Sequence, residues 1–289
     1  MARKISNMFN TPKKDTRRTE RGSAGYDNAR ENIDPHVRTQ VVNTKEIVQD
    51  GIHYELSNLM PRLSFVVDPD GTRDYTSIQE ALNALPATGG EIFVNAGTYV
   101  LTSTITIPNS NTSIRGAGAS TLLDVDRVAG TVFDTDGNDN IEIEKLRIVS
   151  NDITNTNIGI HLNGSDRCII RNTWLDTMEI SIKVEGNYNT IEAKTGGGHG
   201  NAISVIWLLD SNYNLINNLW SEMFTNIGID IENSDFNIVK SNIITSANNG
   251  IEVDATSNKN VLTDNTFQGI TGTAIVDGGV DTQIGHNIT

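Results

Sequence analysis

The chain's 289 residues include 36 acidic and 22 basic side chains, a net charge of −14, and 37% are hydrophobic, below the ordinary globular share. No run approaches the roughly 18 apolar residues of a membrane-spanning helix, and the opening MARKISNMFN lacks the apolar core of a secretory signal. The single cysteine, Cys168, excludes an intramolecular disulfide, and no Cys/His spacing points to zinc.

Charge divides the chain in two. Residues 1–62 carry a net +3 and the rest −17. The first part is polar, with little periodicity before about Val41, and reads as an arm disordered on its own. Its cluster Lys13, Lys14, Arg17, Arg18 and Arg21 is expected to act as an assembly anchor gripping an acidic surface of a partner protein. Nucleic acid is the less favoured partner, because aromatic residues do not interleave the cations and no binding motif is present.

The body, residues 63–289, opens with a helix predicted over 76–85. Thr76-Ser77-Ile78-Gln79 reads as a capping box, Pro86 stops the helix, and Ile78, Ala81, Leu82 and Leu85 form its apolar face. Then a repeat takes over. The pattern apolar-x-x-Asn-x-apolar recurs around Asn172, Asn218, Asn242 and Asn265, truncated at Asn287, with Lys194 filling the place after Asn172. A second series, Ile160/Leu162, Ile182/Val184, Ile206/Leu208, Ile229/Ile231 and Ile251/Val253, alternates apolar with polar as strands do. Turns rich in Gly, Asn, Ser and Asp follow each pair. A period near 23 residues, with short strands and no helices, predicts an all-β fold: a single-stranded parallel β-helix, its coils stacked at roughly 4.8 Å. The five asparagines would then align as a hydrogen-bonded ladder, with Trp174 and Trp220 as stacked core.

The segment Asp70-Gly71-Thr72-Arg73-Asp74-Tyr75-Thr76-Ser77-Ile78-Gln79-Glu80-Ala81-Leu82, with Gly89-Gly90-Glu91-Ile92-Phe93-Val94, Gly97-Thr98-Tyr99 and Ile114-Arg115-Gly116-Ala117-Gly118, resembles the entry of the pectin-lyase-like β-helix superfamily. That resemblance implies a right-handed helix from about residue 66 onward and an N-terminal cap. Its enzyme branches are not matched. The methylesterase strand motif is missing, and Gly198-His199-Gly200 comes without the paired aspartates or Arg-Ile-Lys of polygalacturonases. Asp34-Pro35-His36 lies in the arm, off the repeat, and its likeness to a piece of the alginate epimerase motif is read as coincidence.

One constellation remains. Outward positions beside the second series form a column His161, Lys183, Trp207, Asp230, Glu252 and another Asn163, Glu185, Leu209, Glu232, Asp254. Asp230, Glu232, Glu252 and Asp254 would thus form a carboxylate patch beside Trp207, a possible sugar-stacking face. Crowding raises a carboxyl's pKa, neighbouring coils match the carboxyl spacing of retaining glycosidases, and the same oxygens would also suit Ca²⁺. The alternative is a solvated acidic face that keeps the rod soluble. His161 and Lys183 are expected at the surface, and Cys168 as an inert thiol.

The sequence ends at Thr289 within a coil that opens at Ile284. An uncovered β-helix end leads to the expectation of a partner or further copies there. In architecture the chain looks like tailspike, fibre or capsid-surface proteins of prokaryotic viruses. That likeness implies a virion component anchored by the arm, a homotrimer, and contact with host surface glycan or neighbouring virion proteins. The alternative is a polysaccharide lyase or glycoside hydrolase acting through the patch.

Overall fold

The computed structural model describes residues 46–49, 52–55, 63–126, 130–150, 157–196, 202–222 and 226–289. The chain divides into two compact units, Met1–Pro61 and Arg62–Thr289. In the first, the strands Glu46–Gln49 and Ile52–Glu55 pair antiparallel, Glu46 opposite Glu55. Lys13, Lys14, Arg17, Arg18 and Arg21 lie outside the described residues, as do Asp34-Pro35-His36 and Gly198-His199-Gly200.

The second unit is a right-handed parallel β-helix of about nine turns. Every strand pair in it is parallel, and the described residues contain one α-helix, Ile78–Asn83. That helix is shorter than the sequence suggests. Ser77 is its N-cap, accepting from the Glu80 amide at 3.4 Å. Gln79 does not complete a capping box: its amide clamps the backbone of Thr106, donating at 2.9 Å and accepting at 2.8 Å. Ile78, Ala81, Leu82 and Leu85 are buried against the first coils. Gly90 lets them approach, since a Cβ there would stand 2.5 Å from Leu85.

Three strand faces recur around each coil. Face A runs from Ser64–Val67 to Gln283–Gly285, and face B from Gly97–Leu101 to Thr266–Gln268. Ile169–Asp176 and Thr190–Gly196 each continue from A into B, which joins the two into one 16-stranded sheet. Face C is a separate eight-stranded sheet from Ile105–Thr106 to Ile275–Asp277. Inward positions align as columns. On face A, Ile143, Ile170, Ile191, Ile216, Val239 and Leu262 pair in register and are fully buried. On face C, Ile160, Ile182, Ile206, Ile229 and Ile251 do the same. Alternating strands give one side of each face to the core.

Left-handed residues stand at all three corners, including Thr177, Ser246 and Gly269 between faces B and C, and at the other two corners they recur coil after coil. Between faces A and B the residue is Asn172, Asn218, Ser241, Asp264 or His286, with φ of 51° to 57°. Between faces C and A it is Arg167, Tyr188, Tyr213, Phe236, Lys259 or Asp281, with φ of 57° to 60°. This region costs roughly 1–2 kcal/mol for an ordinary residue, less for Asn and Asp. At the second corner stacking offsets the cost. Tyr188, Tyr213 and Phe236 lie ring on ring, 5.1 and 5.0 Å apart and within 6° of parallel.

The asparagine ladder corrects the sequence reading by one residue. Asn242, Asn265 and Asn287 do stack: the amides of Asn242 and Asn265 each donate to the next Oδ1, at 3.1 and 2.9 Å. Asn172 and Asn218 are not in this column. They are the exposed left-handed residues, and the Asn242 oxygen is met instead by the amide of Leu219 at 2.9 Å. Leu215 pairs with Ile238 and not Val239, so the repeat drawn through Leu215 and Val239 joins an outward to an inward position.

A longer ladder stands at the corner between faces C and A. Asn189, Asn214, Asn237 and Asn260 are all buried. Backbone amides of Cys168, Asn189, Asn214 and Asn237 each donate to the next Oδ1 at 2.7–2.8 Å. Each side-chain amide donates to a backbone carbonyl at 2.8–3.0 Å. Backbone groups at a turn, which buried loops otherwise leave unpaired, are satisfied coil by coil.

Candidate functional site

Face C carries the outward column read from the sequence. His161 pairs with Lys183, Lys183 with Trp207, Trp207 with Asp230, and Asp230 with Glu252. Leu209 and Glu232 lie beside Trp207 and Asp230 in the second column. Successive members are one coil apart, roughly 4.8 Å.

Asp230 is the unusual member. The register turns it outward, yet its residue is only 7% exposed, between Trp207 on one coil and Glu252 on the next. Burial, reinforced by the charges of Glu232, Glu252 and Asp254, pushes its pKa up from 3.8 to about 7. Asp254 behaves oppositely. Burial opposes its ionisation, but the hydroxyls of Ser257 (2.5 Å) and Thr256 and the amide of Asn233 (3.2 Å) outweigh that and hold it below the usual range. Glu252 accepts a hydrogen bond from the Asn249 amide. A carboxyl that keeps its proton near neutrality thus sits diagonally from a firm carboxylate. Such a divergent pair is what acid–base chemistry on a glycosidic bond needs.

One end of the column carries nitrogen side chains, His161 and Lys183. His161 Nε2 lies 2.5 Å from Glu185, Lys183 Nζ 2.7 Å from the other Glu185 oxygen, and His161 Nδ1 3.8 Å from Asp134. The side chains of His161 and Lys183 are only 12% and 14% exposed, so neither is the free surface residue expected. Burial acts against ionised Glu185, but the Lys183 and His161 hydrogen bonds prevail and lower its pKa. Lys183, on the strand Ile180–Val184, and Glu185, just past its end, are two residues apart, with His161 opposite Lys183. That spacing was the available signal for the network. Lys183 also stands 4.9 Å from the centre of the Trp207 ring, covering one face that a sugar would stack on. The Trp207 indole nitrogen is buried without a partner among the described residues.

Trp174 and Trp220 are not core. They point outward on face B, with Lys194 between them, 4.5 Å from one ring and 4.8 Å from the other, and Arg147 over the far side of Trp174 at 4.6 Å. Trp174 donates to Asp176, which also pairs Arg147 at 2.9 Å. The one-residue offset seen in the ladder explains the inversion, because a shift of one flips every side chain across a strand. Cys168 is buried, as expected, with burial pushing its thiol up to about 11.

The family described as periplasmic copper-binding protein (NosD) matches residues 88–284, more than half of the chain. The chain belongs to the NosD family. Among solved structures, the catalytic domain of a GH87 α-1,3-glucanase in complex with nigerose is similar at a TM-score of 0.59 and 16% identity, over 79% of this chain and 45% of that one. Pectin methylesterase from carrot is similar at 0.49 and 14%, over 78% and 82%. ORF18 of Geobacillus virus E2 is similar at 0.45 and 16%, over 84% and 66%. This NosD-family chain spans less than half of the glucanase domain. At these identities the likeness is one of fold, the pectin-lyase-like parallel β-helix. No curated protein matches the sequence.

Among the described residues the donors do not fit copper. Cys168 is buried with a raised pKa, Met178 is fully buried in the core, and His161 is engaged by Glu185. Among the described residues no three His, Cys, Asp or Glu side chains converge on a metal-sized point. No helix among them is long and apolar enough to cross a membrane.

Proposed function

We propose that this NosD-family chain is a surface component of a prokaryotic virus particle, anchored by its basic arm and presenting face C of the β-helix to host polysaccharide. The division of charge carries this reading: +3 over residues 1–62 against −17 over the remainder. A rod of that charge repels like rods, and a basic tether supplies the attraction that holds it to an acidic partner surface. The other virion proteins are the natural partners of the arm. On the rod, His161, Lys183, Trp207 and the four carboxylates offer a row of donors and acceptors about five coils long, suited to successive hydroxyls of a glycan chain. Purified particles test the anchor. The full chain should be found in them, and a chain lacking residues 1–62 should be excluded while its far-UV spectrum remains that of a β-helix. Incorporation of the truncated chain would refute it.

A second reading has its own observation. Asp230, holding a proton near pH 7 one coil from Glu252 and diagonal to Asp254, has the makings of a general acid for glycan cleavage. Incubation with pectate, alginate and bacterial capsule, following reducing ends and unsaturated products, tests it. Activity that disappears in Asp230→Asn would favour the enzyme, and no turnover with any glycan would leave face C as a binding surface.

A further inference from the structure

The three faces do not begin alike. On face A the first strand, Ser64–Val67, has its outer edge closed by the turn before the helix. The amides of Asp74 and Tyr75 donate to the Val66 carbonyl at 3.1 and 3.3 Å, and the Asp74 carboxylate accepts from the Val66 amide at 2.8 Å. On face C Gln79 clamps Thr106 in the same way. The first strand of face B, Gly97–Leu101, pairs on one side only, with Thr121–Val125. There the Gly97 amide donates to the Ser120 carbonyl at 2.8 Å, and the Leu101 carbonyl accepts from Asp126 at 2.9 Å. A parallel ladder uses every second residue of a strand. Gly97, Tyr99 and Leu101 therefore face that neighbour, and Thr98 and Val100 turn their N–H and C=O groups to the bare edge. No described residue meets those groups, and Val100 is 62% exposed. A groove of about 320 Å³ runs along this edge, with Pro69 at the Gly97 end and Ser77 and Gln79 at the other.

We infer that this edge is a docking site for an extended, basic segment of another protein, which adds to face B as one short strand. An unpaired edge is a template for a further strand, because main-chain groups on both sides then pair. A sugar chain lacks that alternation of N–H and C=O at strand pitch. Charge selects the kind of segment. Residues 68–80 hold four acids, Asp68, Asp70, Asp74 and Glu80, against the single base Arg73. Burial, then the charges of Asp68 and Asp70, push the Tyr99 hydroxyl up to about 12, so both acids act on the groove. Arg73 acts on Asp68, and none of the residues lining the groove is charged. The edge of a second copy would bring the same acids against these, whereas lysines or arginines flanking an incoming strand meet attraction. Gly97 and Pro69 fix the groove's end: a Cβ at Gly97 would stand 2.6 Å from the Pro69 ring. The groove thus admits a strand about as long as Gly97–Leu101, not the broad face of another sheet.

Amide hydrogen exchange in the full chain tests this, with the end-blocked peptide Lys-Thr-Val-Thr-Val-Lys as probe. Before it is added, the amides of Thr98 and Val100 should exchange faster than that of Tyr99, which is already bonded within the sheet. At millimolar peptide Thr98 and Val100 should slow about tenfold, and Tyr99 should not change. Replacing both lysines of the peptide by glutamate should weaken binding about tenfold. Val100→Pro removes only an N–H on the bare side, which an edge strand tolerates. It should abolish the slowing at Thr98 and leave the far-UV spectrum unchanged. Should that variant not fold, the peptide Lys-Thr-Pro-Thr-Pro-Lys serves instead: it keeps the charge, loses the strand N–H groups, and should have no effect on the wild type. Exchange at Thr98 and Val100 that the first peptide leaves unmoved, or that the proline or glutamate peptide slows equally, would overturn the inference.

Discussion

Two columns on the same coils show opposite uses of one geometry. At the corner between faces C and A, Asn189, Asn214, Asn237 and Asn260 repeat at coil spacing, and each oxygen meets an amide of the preceding coil. On face C, Asp230 meets Glu252 at the same spacing, and like groups there repel. An amide carries donor and acceptor together, so stacking identical copies satisfies both; a carboxylate carries only acceptors and charge. The asparagine column therefore explains itself as structure. The acidic column does not, and that contrast is the reason to look for function on face C.

The largest effect expected from this contrast is a pH dependence. The folded-state pKa of Asp230 is raised from 3.8 to about 7, so the folded chain binds the proton more tightly than the unfolded one. Its contribution is fully present below about pH 4, falls as pH rises, and is lost above about pH 7, a decline of up to about 4 kcal/mol by linkage. Denaturant unfolding of the wild type should weaken across that window, and Asp230→Asn should flatten the slope and be the more stable form at pH 8. Equal slopes would remove Asp230 from the account.

Breaking the amide column should cost nearly as much. Asn237→Ala removes the acceptor of the Asn214 amide and the donor to the Ser211 carbonyl, both buried. A loss of about 3 kcal/mol in unfolding free energy is expected, with no pH dependence between 5 and 8 because no charge is involved. Lys194→Ala, which empties the space between Trp174 and Trp220, should cost about 1 kcal/mol. The smallest effect is a difference between two variants at one left-handed corner. Tyr213→Ala loses the stacking and keeps the strained φ of 59°. Tyr213→Gly loses the same stacking but relieves the strain, and should be the more stable of the two by about 1 kcal/mol in the same assay.

Much of the fold was legible because stacked coils write their period into the chain. The inward isoleucines of face C, the helix that closes the first coil and the columns through Trp207 and Asp230 could all be read from spacing. What misled was asparagine. It favours both the left-handed corner, as at Asn218, and the ladder position one residue on, as at Asn242, for different physical reasons. A pattern that treats the two as equivalent slips by one and turns Trp174 and Trp220 inward. The ladder from Asn189 to Asn260 was equally regular and was overlooked, because its residues sit in turns and not beside apolar positions. The burial of Asp230 was not legible at all. It depends on Trp207 and Glu252 closing over it from adjacent coils, which spacing alone does not reveal.

The proton on Asp230 can be observed directly by carbon NMR of chain labelled at the aspartate carboxyls, its resonance assigned by absence from Asp230→Asn. A titration midpoint near pH 7 is the expected result, in line with a buried acid pressed by its neighbours on face C. A midpoint near 4 would mean an ordinary solvated carboxylate, and face C would lose its distinction from any other acidic surface.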